Sequence, residues 1–332
     1  MRRSIVARKW WIGAILLAVI GLWLINRDTV DEWLHGVQAP LEWKDRRAIG
    51  SIFLARDNTG WTSNPRGWFG DAKIDVMSPA GIAQFKENLL DLADASILRL
   101  RATSAQGMIV WDLEGEEFPH PNASYVGDPT LLFRIAPEMD LIADEFFAKF
   151  TSAGFRVGLS VRPQQVLFDS EGRFTQHEYF LNNSAIHDEL DRKIRYAQKR
   201  WRCSLFYVDS NFGVQNLGLY SASIFKQLQL EHPDILLIPQ HENRRYFGFT
   251  APYYDFGGRE KWPGTRSLAD DHKAIYPNGF SVVNIADTDI AGHRPELVEA
   301  VRFGDILLYR TWFDSSELNF VPSIYREAKG VR

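Results

Sequence analysis

The chain carries one cysteine, Cys203. An intramolecular disulfide and a cysteine-based zinc site are therefore both excluded. Cys203 precedes the apolar run Leu205–Val208 and reads as a small core residue rather than a reactive thiol. Histidine is sparse, with 8 residues and no His-x-His spacing. No G-x-G-x-x-G follows the first apolar run and no phosphate-binding loop occurs, which argues against nucleotide binding. No G-x-S-x-G elbow is present, so a Ser-His-Asp hydrolase finds no support. The net charge is only −4 and there is no basic stripe interleaved with aromatics, which speaks against a nucleic-acid partner. No motif implies a cofactor, and none singles out a protein partner.

Aromatic residues, by contrast, are plentiful, with 11 Trp, 11 Tyr and 22 Phe among 332 residues. They are core material first, so composition alone marks no binding site. The N-terminus is more specific. Arg2, Arg3, Arg8 and Lys9 precede the uncharged run "WWIGAILLAVIGLWLI" (10–25), and Asp28, Asp31 and Glu32 follow it. Basic residues before an apolar run favour a cytoplasmic N-terminus with the remainder outside. The run is slightly shorter than the roughly 20 residues of a spanning helix. No small-x-small cleavage site follows, so the expectation is an uncleaved signal-anchor over 1–26, a linker over 27–47 and a folded domain over 48–332.

From Ala48 a unit recurs: a β-branched apolar run that ends in polar residues, then a helical pattern. The strand runs are 48–60, 107–117, 155–165, 203–213, 234–245, 279–289 and 305–315. Helical spacing appears over 79–104, 137–154, 184–201, 221–233 and 294–304. Near-continuous apolar strands alternating with helices indicate a parallel sheet covered on both faces. An α/β fold of the (β/α)8 TIM-like barrel type, preceded by a transmembrane helix, is the expectation; a doubly wound sheet is the alternative. A barrel needs eight strands and about 250 residues. The eighth strand falls either in the aromatic insertion 244–272 or near "LRLRA" (98–102).

Polar groups close every strand run. They are Arg56 and Asp57, Asp112 and Glu114 in "MIVWDLEGEE", Arg162 and Gln164, Asp209 and Asn211, His241 and Glu242, Asp287 and Asp289, and Arg310 and Asp314. One such acid is ordinary, since any strand must leave the core. Ionisable groups at all seven ends are a different matter, because barrel strand ends converge on one face where active sites are built. Glu116 and Glu117 lie further out and read as solvated. Trp111, Tyr207, Trp312, Phe313, Tyr253 and Tyr254 lie beside these groups. Rings that stack on sugars, with Arg, Asn, Asp and Gln to take hydroxyls, suit carbohydrate recognition. Glycoside cleavage needs two carboxyl groups in different protonation states.

The "FYVDSN" and "NIADTD" segments resemble, in strand order, the barrel glycoside hydrolases of the α-galactosidase and α-glucosidase type. That resemblance implies an Asp nucleophile ending the fourth strand and an Asp acid near the sixth. It assigns Asp209 as nucleophile and Asp287 or Asp289 as acid/base. Glu242 in "IPQHE" is the competing acid. Arg56, Asp57, Trp111, Asp112, Glu114, Arg162, Gln164, Tyr207, Asn211, His241, Arg310 and Trp312 are the expected substrate contacts. The insertion 244–272 and the loop 119–129, which holds an Asn122-Ala-Ser sequon, are candidate rims. The expectation is a membrane-anchored, extracytoplasmic glycoside hydrolase or transglycosidase acting on a polysaccharide or oligosaccharide. Two alternatives stay open: a non-catalytic carbohydrate-binding or assembly barrel, and a metal-dependent hydrolase using Asp287, Asp289, His241, Glu242 and Asp112.

Overall fold

Strands β1 Ile49–Ile52 and β2 Gly107–Val110 are buried at every position, as the apolar runs require when both faces are covered. A computed structural model describes residues 41–55, 61–116, 126–172, 174–177, 182–213, 218–255, 275–285, 291–310 and 317–330. Parallel pairing continues through β3 Arg156–Val161, then past a two-stranded antiparallel excursion, β4 Gln165–Phe168 and β5 Phe174–His177. It resumes with β6 Leu205–Val208, β7 Leu236–Pro239, β8 Tyr253–Asp255, β9 Val282–Asn284 and β10 Ile306–Arg310. The sheet order is β7-β6-β3-β2-β1-β10-β9-β8, eight parallel strands in all. The Ala251 amide, just ahead of β8, donates to the Leu237 carbonyl in β7 at 2.9 Å and brings the two edges together. This is the expected barrel, and the doubly wound alternative is set aside.

The pleat sorts the core into two parts. Ile49, Ile109, Leu205, Tyr207, Leu236, Ile238, Val282, Ile306 and Leu308 cluster inside the barrel. Their neighbours Met108, Val110, Phe206, Leu237, Val283 and Leu307 join the cluster under the helices. Successive residues thus face opposite sides, the period of two that a strand imposes. Leu41 and Trp43 also join the interior cluster, and the Trp43 indole donates to Gln106 Oε1 at 3.1 Å. Residues 41–47, expected as linker, therefore belong to the barrel, and 41–332 form one compact unit.

The helices start and stop where the sequence provides caps. In α1, Pro79–Ala102, the Ser78 hydroxyl accepts from the Gly81 amide at 3.1 Å. Phe85, Leu89, Ala93, Ile97 and Leu100 form its buried stripe. "LRLRA" lies within this helix, so the eighth strand is not there; it is β8, in the insertion. The helix expected over 137–154 is shorter, α2 Ala143–Ser152, after helical turns at Pro129–Leu131, Leu132–Ile135 and Pro137–Asp140. Helices α3 Asn183–Trp201, α4 Ala222–Glu231 and α5 Arg294–Phe303 match their expected spans within a few residues. A further helix, α6 Glu317–Ala328, follows β10 and accommodates Pro322 internally. The run 10–25 lies outside the described residues. Among the described residues no helix is long and apolar enough to cross a membrane.

Glycine is required where β3 passes β6. A Cβ on Gly158 would stand 2.0 Å from the Leu205 carbonyl oxygen, a backbone atom in the paired register. Gly158→Ala must therefore push the two strands apart, and we expect a loss of about 1–3 kcal/mol, the usual range for overpacking. Urea unfolding of residues 41–332 checks this; an unchanged midpoint would mean that the strands do not approach so closely.

Candidate active site

Strand β6 is the fourth of the barrel, and Asp209 is the first residue beyond it. Its amide continues the ladder by donating to the Val161 carbonyl at 2.9 Å. The next residue, Ser210, has φ +53, a left-handed conformation that costs a non-glycine residue roughly 1–2 kcal/mol. Three neighbours hold the turn. The Ser210 amide donates to Gln240 Oε1 at 2.8 Å, and Gln164 Nε2 donates to the Ser210 carbonyl at 3.1 Å. Asn211 accepts from the His241 amide at 2.8 Å and donates to the His241 carbonyl at 3.0 Å. A strained backbone fixed from the strands on both sides is the arrangement found where a side chain must be aimed.

That side chain is the Asp209 carboxylate, 6% exposed. Arg162 Nε donates to its Oδ2 at 2.6 Å, and the Ser210 hydroxyl donates to the same oxygen at 3.2 Å. Among the described residues, Oδ1 has no hydrogen bond. Arg162 is itself held. Its amide donates to the Gly127 carbonyl at 3.0 Å. Gly127 has φ +64, and a Cβ there would stand 2.7 Å from the Arg162 nitrogen. From behind, Lys193 of α3 donates to the carbonyls of Arg162 and Gln164 at 2.7 and 2.8 Å. Lys193 is fully buried, with Glu189 at 3.1 Å and Asp128 at 3.7 Å. Burial works against ionisation of Asp128, but Lys193 and Arg192 outweigh it and hold the carboxyl below its usual range.

The two acids of "MIVWDLEGEE" do different work from Asp209. Both Asp112 oxygens accept backbone amides, Leu54 and Ala55, each at 2.7 Å. Asp112 is fully buried, so it fastens the chain leaving β1, where a sugar contact was expected. Burial pushes its carboxyl up to about 8 against those hydrogen bonds. Glu114 is also buried, and its Oε1 has no hydrogen-bond partner among the described residues. Burial pushes Glu114 up to about 7; Asp128 adds to the rise and Lys193 opposes it.

The aromatic expectations divide along the pleat. Trp111 stacks on Phe53 at 5.4 Å and packs at a tilt against Tyr207 at 4.3 Å, and Tyr207 meets Tyr253 edge-on at 5.2 Å. Arg310 lies over Phe53 at 5.2 Å. Trp111 and Tyr207 are buried in this layer, so the rings nearer solvent are Phe53 and Tyr253. Tyr254 faces the helices and joins the outer cluster. The His241 ring meets Phe212 edge-on at 5.0 Å, and Glu242 is half-buried beside it. Arg56, Asp57, Asp287, Asp289, Trp312, Phe313 and Asp314 lie outside the described residues, as do most of both candidate rim loops. One assignment moves. Because β8 is the sixth barrel strand, Asp287 and Asp289 follow the seventh, and the residue that ends the sixth is Asp255.

Gln240, Lys193 and the Ser210 backbone were not read from the sequence. Lys193 left a signal. It sits on the apolar stripe of α3, between Leu190 and Ala197, where an unpartnered lysine would not be tolerated.

Asp112 and Glu114 make stability fall with pH. Both folded values lie above the unfolded carboxylate range of about 4. The folded state keeps protons that the unfolded chain releases, so stability present below about pH 4 is lost as pH rises through 7 to 8. We expect Glu114→Gln to reduce the loss between pH 5 and pH 8.5 in urea unfolding; an equal loss in variant and parent would assign the dependence elsewhere. Asp112→Asn turns an NH2 toward one of two backbone amides, and should cost about 1–3 kcal/mol at pH 7.

No protein-family model matches the chain, and no curated protein sequence does. Solved structures do match in fold. An α-amylase from Malbranchea cinnamomea aligns over 86% of this chain and 77% of its own, with TM-score 0.52 and 8% identity. The cyclomaltodextrin glucanotransferase CldA aligns over 86% of this chain and 80% of its own, with TM-score 0.50 and 11% identity. The barrel is thus of a kind that glycoside hydrolases use, in line with the resemblance read from the sequence.

Proposed function

We propose that the chain is a glycoside hydrolase or transglycosidase acting on a polysaccharide or oligosaccharide. The observation that carries this reading is Asp209 at the end of the fourth barrel strand, with Oδ2 fixed by Arg162 and Oδ1 without a hydrogen bond among the described residues. In the retaining form of the reaction Oδ1 attacks the anomeric carbon while the bond to the leaving oxygen breaks. A second, protonated carboxyl gives that oxygen its proton and then takes one from the water that releases the sugar. Glu242 at the fifth strand, Asp255 at the sixth and Asp287 or Asp289 after the seventh are the candidates by position. Phe53 and Tyr253 supply ring faces, and Gln164 and Arg310 supply polar contacts.

The basic flank and apolar run at 10–25 support a single-pass anchor with the barrel outside the cytoplasm. One other reading draws on the same ion pair: a carboxylate engaged by a guanidinium is a weaker nucleophile, as suits a barrel that holds a sugar without cleaving it. The metal-hydrolase reading weakens, because Asp112 is occupied by backbone amides.

Residues 41–332 should hydrolyse at least one member of a panel of aryl glycosides and polysaccharides. Asp209→Asn should lower that rate by about a thousandfold or more, within the range a catalytic carboxylate supplies. Parallel loss in Glu242→Gln, Asp255→Asn or Asp287→Asn identifies the acid. Binding of a glycan without turnover would replace the hydrolase by the binding barrel.

A further inference from the structure

Outside the strand ends, helices α3 and α4 bring together a second group of donor atoms. His187 and Asp191 stand one helical turn apart on α3, at the i, i+4 spacing that puts two side chains on one face. Glu231 is the last residue of α4, and His232 is its C-cap, with its ring against Asp191 of α3. His232 Nε2 lies 2.8 Å from Asp191 Oδ1, and His187 Nε2 lies 3.3 Å from Glu231 Oε2. Donor atoms of Asp191, Glu231 and His232 all fall within 4.8 Å of one another. We propose that Asp191, Glu231 and His232, with the neighbouring His187 as a fourth ligand once its ring shifts from beside Glu231, bind a divalent transition-metal ion of the zinc class between α3 and α4.

The chemistry of the set fits such an ion. Two imidazoles and two carboxylates suit a borderline cation better than calcium or magnesium, which take oxygen alone. Donors about 2.1 Å from one ion stand roughly 3.4 Å apart in a tetrahedron. His232–Asp191 at 2.8 Å and His187–Glu231 at 3.3 Å lie near that spacing, and the His187 ring would shift to close on the other two donors.

His187 is the independent sign. It is 6% exposed, and its Nε2 has no hydrogen-bond partner among the described residues although it faces the Glu231 carboxylate. A buried nitrogen left without a hydrogen bond calls for an explanation. Its other nitrogen, Nδ1, lies 3.1 Å from Asp188 Oδ1. Metal-bound histidines are commonly oriented by a carboxylate on the far nitrogen in this way.

Arg195 now supplies the positive charge. Its Nε donates to Asp191 Oδ2 at 2.7 Å, and a terminal nitrogen lies 3.5 Å from Glu231 Oε2. The Arg195 side chain is 59% exposed, so it can swing into solvent without disturbing the core. An ion would take its place and tie the two helices together, raising stability by mass action.

Titration of the full chain with zinc chloride, followed by calorimetry and thermal unfolding, tests this. One zinc per chain should bind and raise the melting temperature. His187→Gln and His232→Gln should each weaken binding at least about tenfold, the lower range for lost metal-site contacts. Arg195→Gln removes the competing cation and should tighten binding. Cobalt(II) in the parent should give the intense visible absorption of a tetrahedral site, absent in His187→Gln. No binding by the parent, binding unchanged in both histidine variants, or tighter binding lost rather than gained in Arg195→Gln would overturn the proposal.

Discussion

The ion pair between Arg162 and Asp209 is the contact around which the candidate site is arranged. Two elements from different strands must arrive within 2.6 Å, and neither is left to find its place by side-chain rotation alone. On one side, the strained Ser210 turn is gripped by Gln164, Gln240 and, one residue on, Asn211. On the other, Arg162 is pinned by the Gly127 carbonyl and by the buried ammonium of Lys193. The inner contacts are made by groups that are themselves fixed, which is how a site keeps its geometry without a ligand.

Burying Lys193 is the demanding part of this arrangement. An isolated ammonium in a core would lose its proton or unfold the region around it. Here Glu189 and Asp128 supply opposite charge, and the two carbonyls use the remaining N–H donors. Removing one partner would strand the other, so the group stands or falls together. Glu114 sits beside it with one oxygen lacking a hydrogen bond among the described residues, and burial holds it near neutrality. Buried acids of this kind weaken the fold as pH rises, and such groups gather where a protein needs charge more than stability.

Much of this fold was legible in the sequence because parallel barrel strands advertise themselves. Seven apolar runs, each ending in polar residues, fell on seven of the eight strands. The eighth, Tyr253–Asp255, is only 3 residues long and sits in an aromatic insertion, so periodicity had nothing to act on. Its absence from the count gave Asp287 and Asp289 to the sixth strand, whereas they follow the seventh. Asp209 falls at the end of the fourth strand, as expected, because three bulky residues, Phe206 to Val208, lead into it. Asp112 was not legible in this way. A carboxylate facing two backbone amides and one facing a ligand have the same sequence signature, and only the packing of Leu54 and Ala55 separates them. Ser210 carries no signal at all, since its conformation is imposed by Gln164 and Gln240 from other strands.

Whether the carboxylate held by Arg162 is the reacting group can be tested directly. The chain would be incubated with 2-deoxy-2-fluoroglycosyl fluorides of the sugars it cleaves, digested with trypsin and analysed by mass spectrometry. The account predicts one added fluorosugar on the peptide spanning 203–226, which contains Asp209. Label on the 227–244 peptide with Glu242, or no label on a chain that turns over the parent glycoside, would contradict it.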